Sequence, residues 1–215
     1  FTVNNPPGAV IVGLPDFVRG PGQKINVPAT TSTGLPLTIS NGTGVKRIEL
    51  SLAYDPTLLD LRGVTLSNSA PANSQVELDT SVPGIARIVF TSPTVLPTGR
   101  FDFAMLDAHV PSDQANDIYL HKQLLDVRDL RVTGDEEVVI PAVDNDALQV
   151  TMYLADVSGN GRINALDASL IARVVSQLDV GFAATLLGDP NLIGDVSGNS
   201  LLNAADASFA AEVAA

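Results

Sequence analysis

The segment DVSGNGRINALD, Asp156 to Asp167, returns as DVSGNSLLNAAD, Asp195 to Asp206, and this repeat constrains the chain more than any other feature. Both copies carry Asp, Ser, Asn, Asn and Asp at the first, third, fifth, ninth and twelfth places. That is the oxygen-ligand spacing of a calcium loop that opens a helix. Ca²⁺ is a hard cation that takes six to eight oxygens at roughly 2.3–2.6 Å, and a loop whose alternate residues point inward wraps it without outside help. In the first copy Asp156, Ser158 and Asn160 offer side-chain oxygens, and Arg162 offers its backbone carbonyl. Asn164 adds a side-chain or water-mediated contact, and Asp167 a carboxylate able to bind through both oxygens. The same roles fall on Asp195, Ser197, Asn199, the carbonyl of Leu201, Asn203 and Asp206 in the second. Asp, Asn, Gly and Ser also cluster in plain turns. Two copies in register favour the ion, so two Ca²⁺ sites are expected.

The loops differ at the sixth place. Gly161 supplies the sharp turn in the first, whereas Ser200 stands there in the second. A left-handed backbone costs a non-glycine residue on the order of 1–2 kcal/mol, so the second site is expected to be the weaker. Two carboxylates per loop, with Asp rather than Glu at the twelfth place, suit extracellular calcium levels better than cytosolic ones.

From Ala9 to about Tyr153 short alternating runs are separated by Pro, Gly, Asn and Asp, the pattern of an antiparallel β-sandwich. Val10, Val12 and Leu14 alternate, and Ile25 and Val27 follow after a turn. Ile48, Leu50, Leu52 and Tyr54 form the clearest strand, with Arg47, Glu49, Ser51 and Ala53 on its other face. Asp55-Pro56 forces a turn, after which Leu58 to Leu61 resumes the sheet. Further runs at Gln75 to Asp79, Ile85 to Thr91, Arg100 to Val110, Ile118 to Lys122, Leu124 to Val132 and Ala147 to Tyr153 bring the expectation to about nine strands. Asn41-Gly42-Thr43 has the form of a glycosylation sequon but reads as a turn.

Only Leu154 and Ala155 separate the last strand from the first loop, so no flexible linker is expected there. Leu166, Leu170, Ile171, Val174, Val175 and Leu178 mark an apolar side of one helix, and Ala205, Phe209 and Val213 mark the other. Phe182 to Leu187 reads as a short helix stopped by Gly188-Asp189-Pro190. Facing stripes would form a small core locked by calcium.

The stretch from Ala155 to Ala215, a duplicated loop and helix, resembles the dockerin module of cellulosome-type systems. It departs from that pattern at Ser158 and Ser197, at Ser200, and in a last helix that ends soon after Val213. The segment VKRIELSLAYDPTLLDLRGVTL, with the opening GQKINVPAT, resembles the cohesin module, the β-sandwich partner of dockerins, over roughly Ala9 to Tyr153. The resemblance therefore implies an all-β sandwich, residues 1–153, followed by a small all-α calcium-binding unit, residues 154–215, with repeats at 156–178 and 195–215. By the same resemblance a partner cohesin would receive the residues along each helix: Ala165, Leu166, Ala172 and Arg173, then Ala204, Ala205, Ala211 and Glu212. Dockerins usually carry hydroxyl residues at the first pair of each set, so a more apolar contact is expected here. On the sandwich, the strand ending in Tyr54-Asp55-Pro56 would carry dockerin contacts, with Arg47, Glu49 and Ser51 facing outward.

The implied function is non-catalytic attachment of proteins to one another outside the cell. Partners would bear cohesins or dockerins, with self-association through cohesin–dockerin contacts as one such pairing. A net charge of −12 argues against nucleic acid and anionic membrane. No run of about eighteen apolar residues offers a membrane span, and any signal peptide is expected to have been removed. With no cysteine there is no thiolate site or disulfide. His109 and His121, the only histidines, fall on different expected strands. Most Asp residues fall in expected turns, which leaves little for catalysis. Two other readings stay open: a rigid support joined to a calcium-stabilised tail of a larger surface protein or polysaccharide-degrading enzyme, and a carbohydrate-binding module. The absence of Trp and the presence of three Tyr weaken the latter.

Overall fold

The run Arg47–Ala53 buries Ile48, Leu50 and Leu52 and turns Arg47, Glu49, Ser51 and Ala53 outward, as two-residue periodicity requires. Each such side chain contributes about 1.5–3 kcal/mol on full burial, and repetition of this pattern builds a sandwich. The structure is a computed structural model that describes residues 8–29, 31–112, 115–185, 189–197 and 201–214. Its strands are β1 (Val10–Gly13), β2 (Phe17–Arg19), β3 (Leu35–Ile39), β4 (Arg47–Ala53), β5 (Asp60–Leu66) and β6 (Gln75–Val82), then β7 (Ile85–Thr91), β8 (Phe101–His109), β9 (Lys122–Thr133), β10 (Val139–Ile140), β11 (Ala142–Asn145) and β12 (Ala147–Thr151). The helices are α1 (Ala115–Ile118), α2 (Ala165–Val175), α3 (Pro190–Gly194) and α4 (Ala204–Val213).

One sheet has the order β11-β1-β3-β8-β5, the other β2-β12-β9-β4-β7-β6 with β10 beside β9. Val12, Leu37, Leu52, Ile88, Phe90, Phe103 and Leu106 fill the space between them. Most pairs are antiparallel, but β1 pairs with β11 and β2 with β12 in parallel. The beginning and end of the sandwich therefore lie side by side. That brings β2 and the exit from β12 together, where the C-terminal helices attach.

Several expectations are corrected. Twelve strands form among the described residues instead of about nine, because β2, β3, β10 and β11 are short or irregular; Pro36 sits within β3. Ile25 and Val27 form no strand, and the neighbouring Lys24 makes only an isolated bridge to His109. After Asp55-Pro56 the sheet resumes at Asp60, since the Asp55 side chain accepts from Thr57 N (2.8 Å) and its carbonyl from Leu58 N and Leu59 N. The strand expected over Ile118 to Lys122 is instead the end of α1 and a turn, so His121 lies in that turn. Pro190 starts a helix rather than stopping one: Asp189 caps α3 through Asn191 N (2.9 Å), with proline at the position where a missing N–H costs nothing. Of the expected helix over Phe182 to Leu187, Ala183–Thr185 forms a 3₁₀ turn, while Leu186 and Leu187 lie outside the described residues. The Asn41 turn is seen, with Asn41 Oδ1 accepting from Thr43 N (3.1 Å) and Gly99 N (3.0 Å).

Ile171, Phe182, Ile193, Val196 and Ala210 form the helical core. The expected stripes are only partly right, because Leu166, Leu178, Phe209 and Val213 are exposed. The same buried cluster takes in Val18, Val150 and Met152 from the sandwich, together with Ala155 and Val157. One apolar core thus runs from β2 and β12 into the helices.

Candidate functional site

The first loop closes around two carboxylates. Asp156 Oδ1 accepts from Ser158 Oγ (3.2 Å) and Asn160 N (3.1 Å), and its Oδ2 from Gly161 N (2.7 Å) and the Tyr119 hydroxyl. Asp167 Oδ1 accepts from Ser158 N and Oδ2 from Asn164 N, both at 2.8 Å. Asn164 in turn caps α2 by accepting from Leu166 N (2.8 Å), which completes a capping box. Asn160 Oδ1 accepts from Arg162 N (3.0 Å). Residues Asp156, Ser158, Asn160, Asn164 and Asp167 are thereby tied into one hydrogen-bonded ring. Gly161 has φ +82°, the left-handed turn that favours glycine.

Among the described residues the second loop repeats part of this pattern. Ser197 N donates to Asp206 Oδ1 (2.9 Å), Ser197 Oγ to Asp195 Oδ1 (3.2 Å) and Asn203 N to Asp206 Oδ2 (2.8 Å), while Asn203 caps α4 through Ala205 N. The Leu201 carbonyl accepts from Asn203 Nδ2 (2.9 Å). Asn199 and Ser200 lie outside the described residues.

Capping alone would explain Asn164, Asp167, Asn203 and Asp206, but not the charge. Asp156, Asp167 and Asp206 are fully buried, and among the described residues no cationic side chain forms an ion pair with them. Buried anions without a counter-ion are costly. Asp167 and Asp206 each retain acceptor capacity beyond the two N–H groups they hold, whereas Asp156 already accepts from four donors. The donor set, hard oxygens with paired carboxylates, fits a calcium ion in each loop. Among the described residues no three His, Cys, Asp or Glu come together, so neutral Ser, Asn and carbonyl oxygens would complete the shell.

Ala165, Leu166, Ala172, Arg173, Ala204, Ala205, Ala211 and Glu212 are all exposed along α2 and α4. Arg173 is held by Asp179 through two bonds of 2.6 and 3.0 Å.

Arg47, Glu49 and Ser51 lie on the open face of the larger sheet. There Glu49 is a hub that sequence reading missed: Arg47 Nε donates to it at 2.5 Å, with Arg87 at 3.8 Å and Arg131 at 3.9 Å. Registry explains this, since Glu49 pairs with Arg131 on β9, and Ser51 with Arg87 on β7 and Arg128 on β9. Arginines scattered along the sequence are grouped only once the strands pair. The Arg47 hydrogen bond, aided by attraction from Arg131 and Arg87, holds the Glu49 carboxyl below the usual glutamate range. A depressed carboxyl contributes stability above its unfolded value, about 4.3, and loses it as pH falls through the lower folded value. The stability difference between the natural chain and Glu49→Gln is therefore expected to be constant near neutrality and to vanish below that window in urea titrations. A difference that persisted there would refute the network.

A family model described as the cohesin domain matches residues 21–129, just over half of the 215 residues. The chain belongs to the cohesin family. The matched span of this cohesin begins before β3 and ends within β9, so the loops and α2 to α4 lie outside it. Among solved structures it is similar to CaCohA2 from Clostridium acetobutylicum, at 20% identity over 66% of this chain and 90% of that one, with a TM-score of 0.54. It is also similar to a non-cellulosomal cohesin from Archaeoglobus fulgidus, at 12% identity over 67% and 91%, TM-score 0.53. A third relative comes from a type I cohesin–dockerin complex of Clostridium thermocellum, at 17% identity over 72% and 98%, TM-score 0.54. These likenesses show the cohesin fold. No curated protein matches the chain.

Sequence reading of this cohesin also missed Tyr119, which follows α1 and reaches the first loop from the sandwich side. Burial, followed by the Asp156 hydrogen bond, pushes its hydroxyl well above the ordinary phenol range. No spacing signal pointed to it, because the contact joins residues 37 apart through the tertiary fold.

Proposed function

We propose that this cohesin is a non-catalytic, extracellular attachment module whose larger sheet receives a dockerin, and whose residues 154–215 form a calcium-held, dockerin-like unit. The observation that carries the first half is the cohesin match over a sandwich whose β4 turns Arg47, Glu49 and Ser51 outward. The Clostridium thermocellum relative was captured as a cohesin–dockerin complex, which supports dockerin-bearing proteins as the partner class. The second half is supported by the repeated loops and the buried carboxylates of Asp156, Asp167 and Asp206. Calcium sites of modest charge suit the outside of the cell.

The test is a calorimetric titration of the full chain with type I dockerin modules in calcium. At least one is expected to bind saturably, and Glu49→Arg, which gathers four cationic side chains on the face, to weaken that binding about tenfold, or about 1.4 kcal/mol. Binding untouched by the substitution would refute the docking face.

The rival reading, a sandwich braced by a calcium-stabilised tail, has its own support in the shared cluster of Val18, Val150, Met152, Ala155 and Ile193. The two are compatible, since Leu166 and Arg173 stay exposed on the outer side of the tail. A second copy of the chain is then one available partner.

A further inference from the structure

We propose that Tyr119 is a positioning residue through which the sandwich holds the first calcium loop, so that ion uptake by the loop is felt in β12. The inference rests on the calcium reading above. Tyr119 belongs to the turn between α1 and β9, well before the tail in sequence. Its hydroxyl donates to Asp156 Oδ2 and accepts from Tyr153 N (3.2 Å), so one oxygen joins the first-place carboxylate to the backbone that enters the loop. Its ring packs on Tyr153 with centroids 5.8 Å apart.

The same turn is clipped to the sheet. Leu120 N donates to the Thr151 carbonyl (2.7 Å), and Thr151 N donates to the His121 carbonyl (2.8 Å). The loop sits tightly against the turn: a Cβ added at Gly159, which has φ +71°, would come within 2.9 Å of Ala184 Cβ and 3.3 Å of Leu120 Cδ1. Leu120 and Ala155 flank the contact and both hold positive φ, at 65° and 77°. Non-glycine residues keep such angles only where their surroundings over-determine them. An ion that fixes Asp156 therefore also fixes Tyr119, and through residues 120 and 121 it restrains the end of β12.

The experiment compares the full chain with Tyr119→Phe, which keeps the ring packing and removes only the hydroxyl. Calorimetric titration is expected to show the first site weakened about tenfold, the scale for loss of an outer-shell partner, and the second site unchanged. Hydrogen exchange then reads the coupling. In the natural chain, calcium is expected to slow exchange at the Leu120 and Thr151 amides; in Tyr119→Phe at saturating calcium that slowing is lost. Calcium uptake by the natural chain with no change at those amides would overturn the coupling while leaving the calcium reading intact, and needs no variant. No uptake at all would overturn both. Equal slowing in the two proteins, or equal affinities, would reduce Tyr119 to a packing residue.

Discussion

Asp156→Ala is expected to cost about 3–5 kcal/mol of stability in saturating calcium and to abolish ion uptake by the first loop. The carboxylate is fully buried and accepts from Ser158 Oγ, Asn160 N, Gly161 N and the Tyr119 hydroxyl. Alanine leaves these donors without an acceptor, at about 1–3 kcal/mol for each that water cannot reach. Asp195→Ala is expected to cost less, because Asp195 is only partly buried and solvent can replace some of its contacts. Denaturant unfolding of both variants in calcium, with titration of each, measures the gap. Equal losses would mean that attachment to the sandwich gives the first loop no special weight.

The second large effect concerns the helices. If α2 and α4 dock on a cohesin, Leu166→Asp together with Arg173→Glu is expected to weaken binding by at least ~2 kcal/mol, the scale of interface hot spots. Leu166 is 53% exposed, so the fold itself gains little from it and the loss reads out as affinity. Breaking the Arg173–Asp179 pair costs the fold little, since exposed pairs are worth about 0–1 kcal/mol. Ala205→Asp with Ala211→Glu is expected to matter less, because the second face offers smaller side chains. Titration of the variants with cohesin modules and with a second copy of the chain decides it. Equal losses would mean that both faces are used, and no loss from either would leave the tail as a brace.

How much of this was legible in the sequence depends on the range of the interaction. The alternation over Arg47–Ala53 and the spacing within each loop are local; the first reappears as a strand, and the loops share the contact of a third-place serine N–H with the twelfth-place carboxylate. The parallel pairs of β1 with β11 and β2 with β12 join the two ends of the sandwich, and no local period encodes them. Pro36 masked β3, and Pro190 read as a stop although, after Asp189, it opens α3. The helix stripes misled for a related reason. The helices α2 and α4 do pack on each other as expected, but their core is shared with Val18, Val150 and Met152 and leaves Phe209 and Val213 outside. Tyr119 and the arginines around Glu49 became visible only through tertiary contact and strand registry.

The hydrogen-exchange footprint of a bound type I dockerin on the full chain in calcium reports whether the open face of the larger sheet is the proposed dockerin seat. Added protection is expected along β9, β4, β7 and β6, centred on Glu49, with β1, β3 and β8 of the opposite sheet unchanged. Protection confined to that opposite sheet, or to α2 and α4 alone, would contradict it.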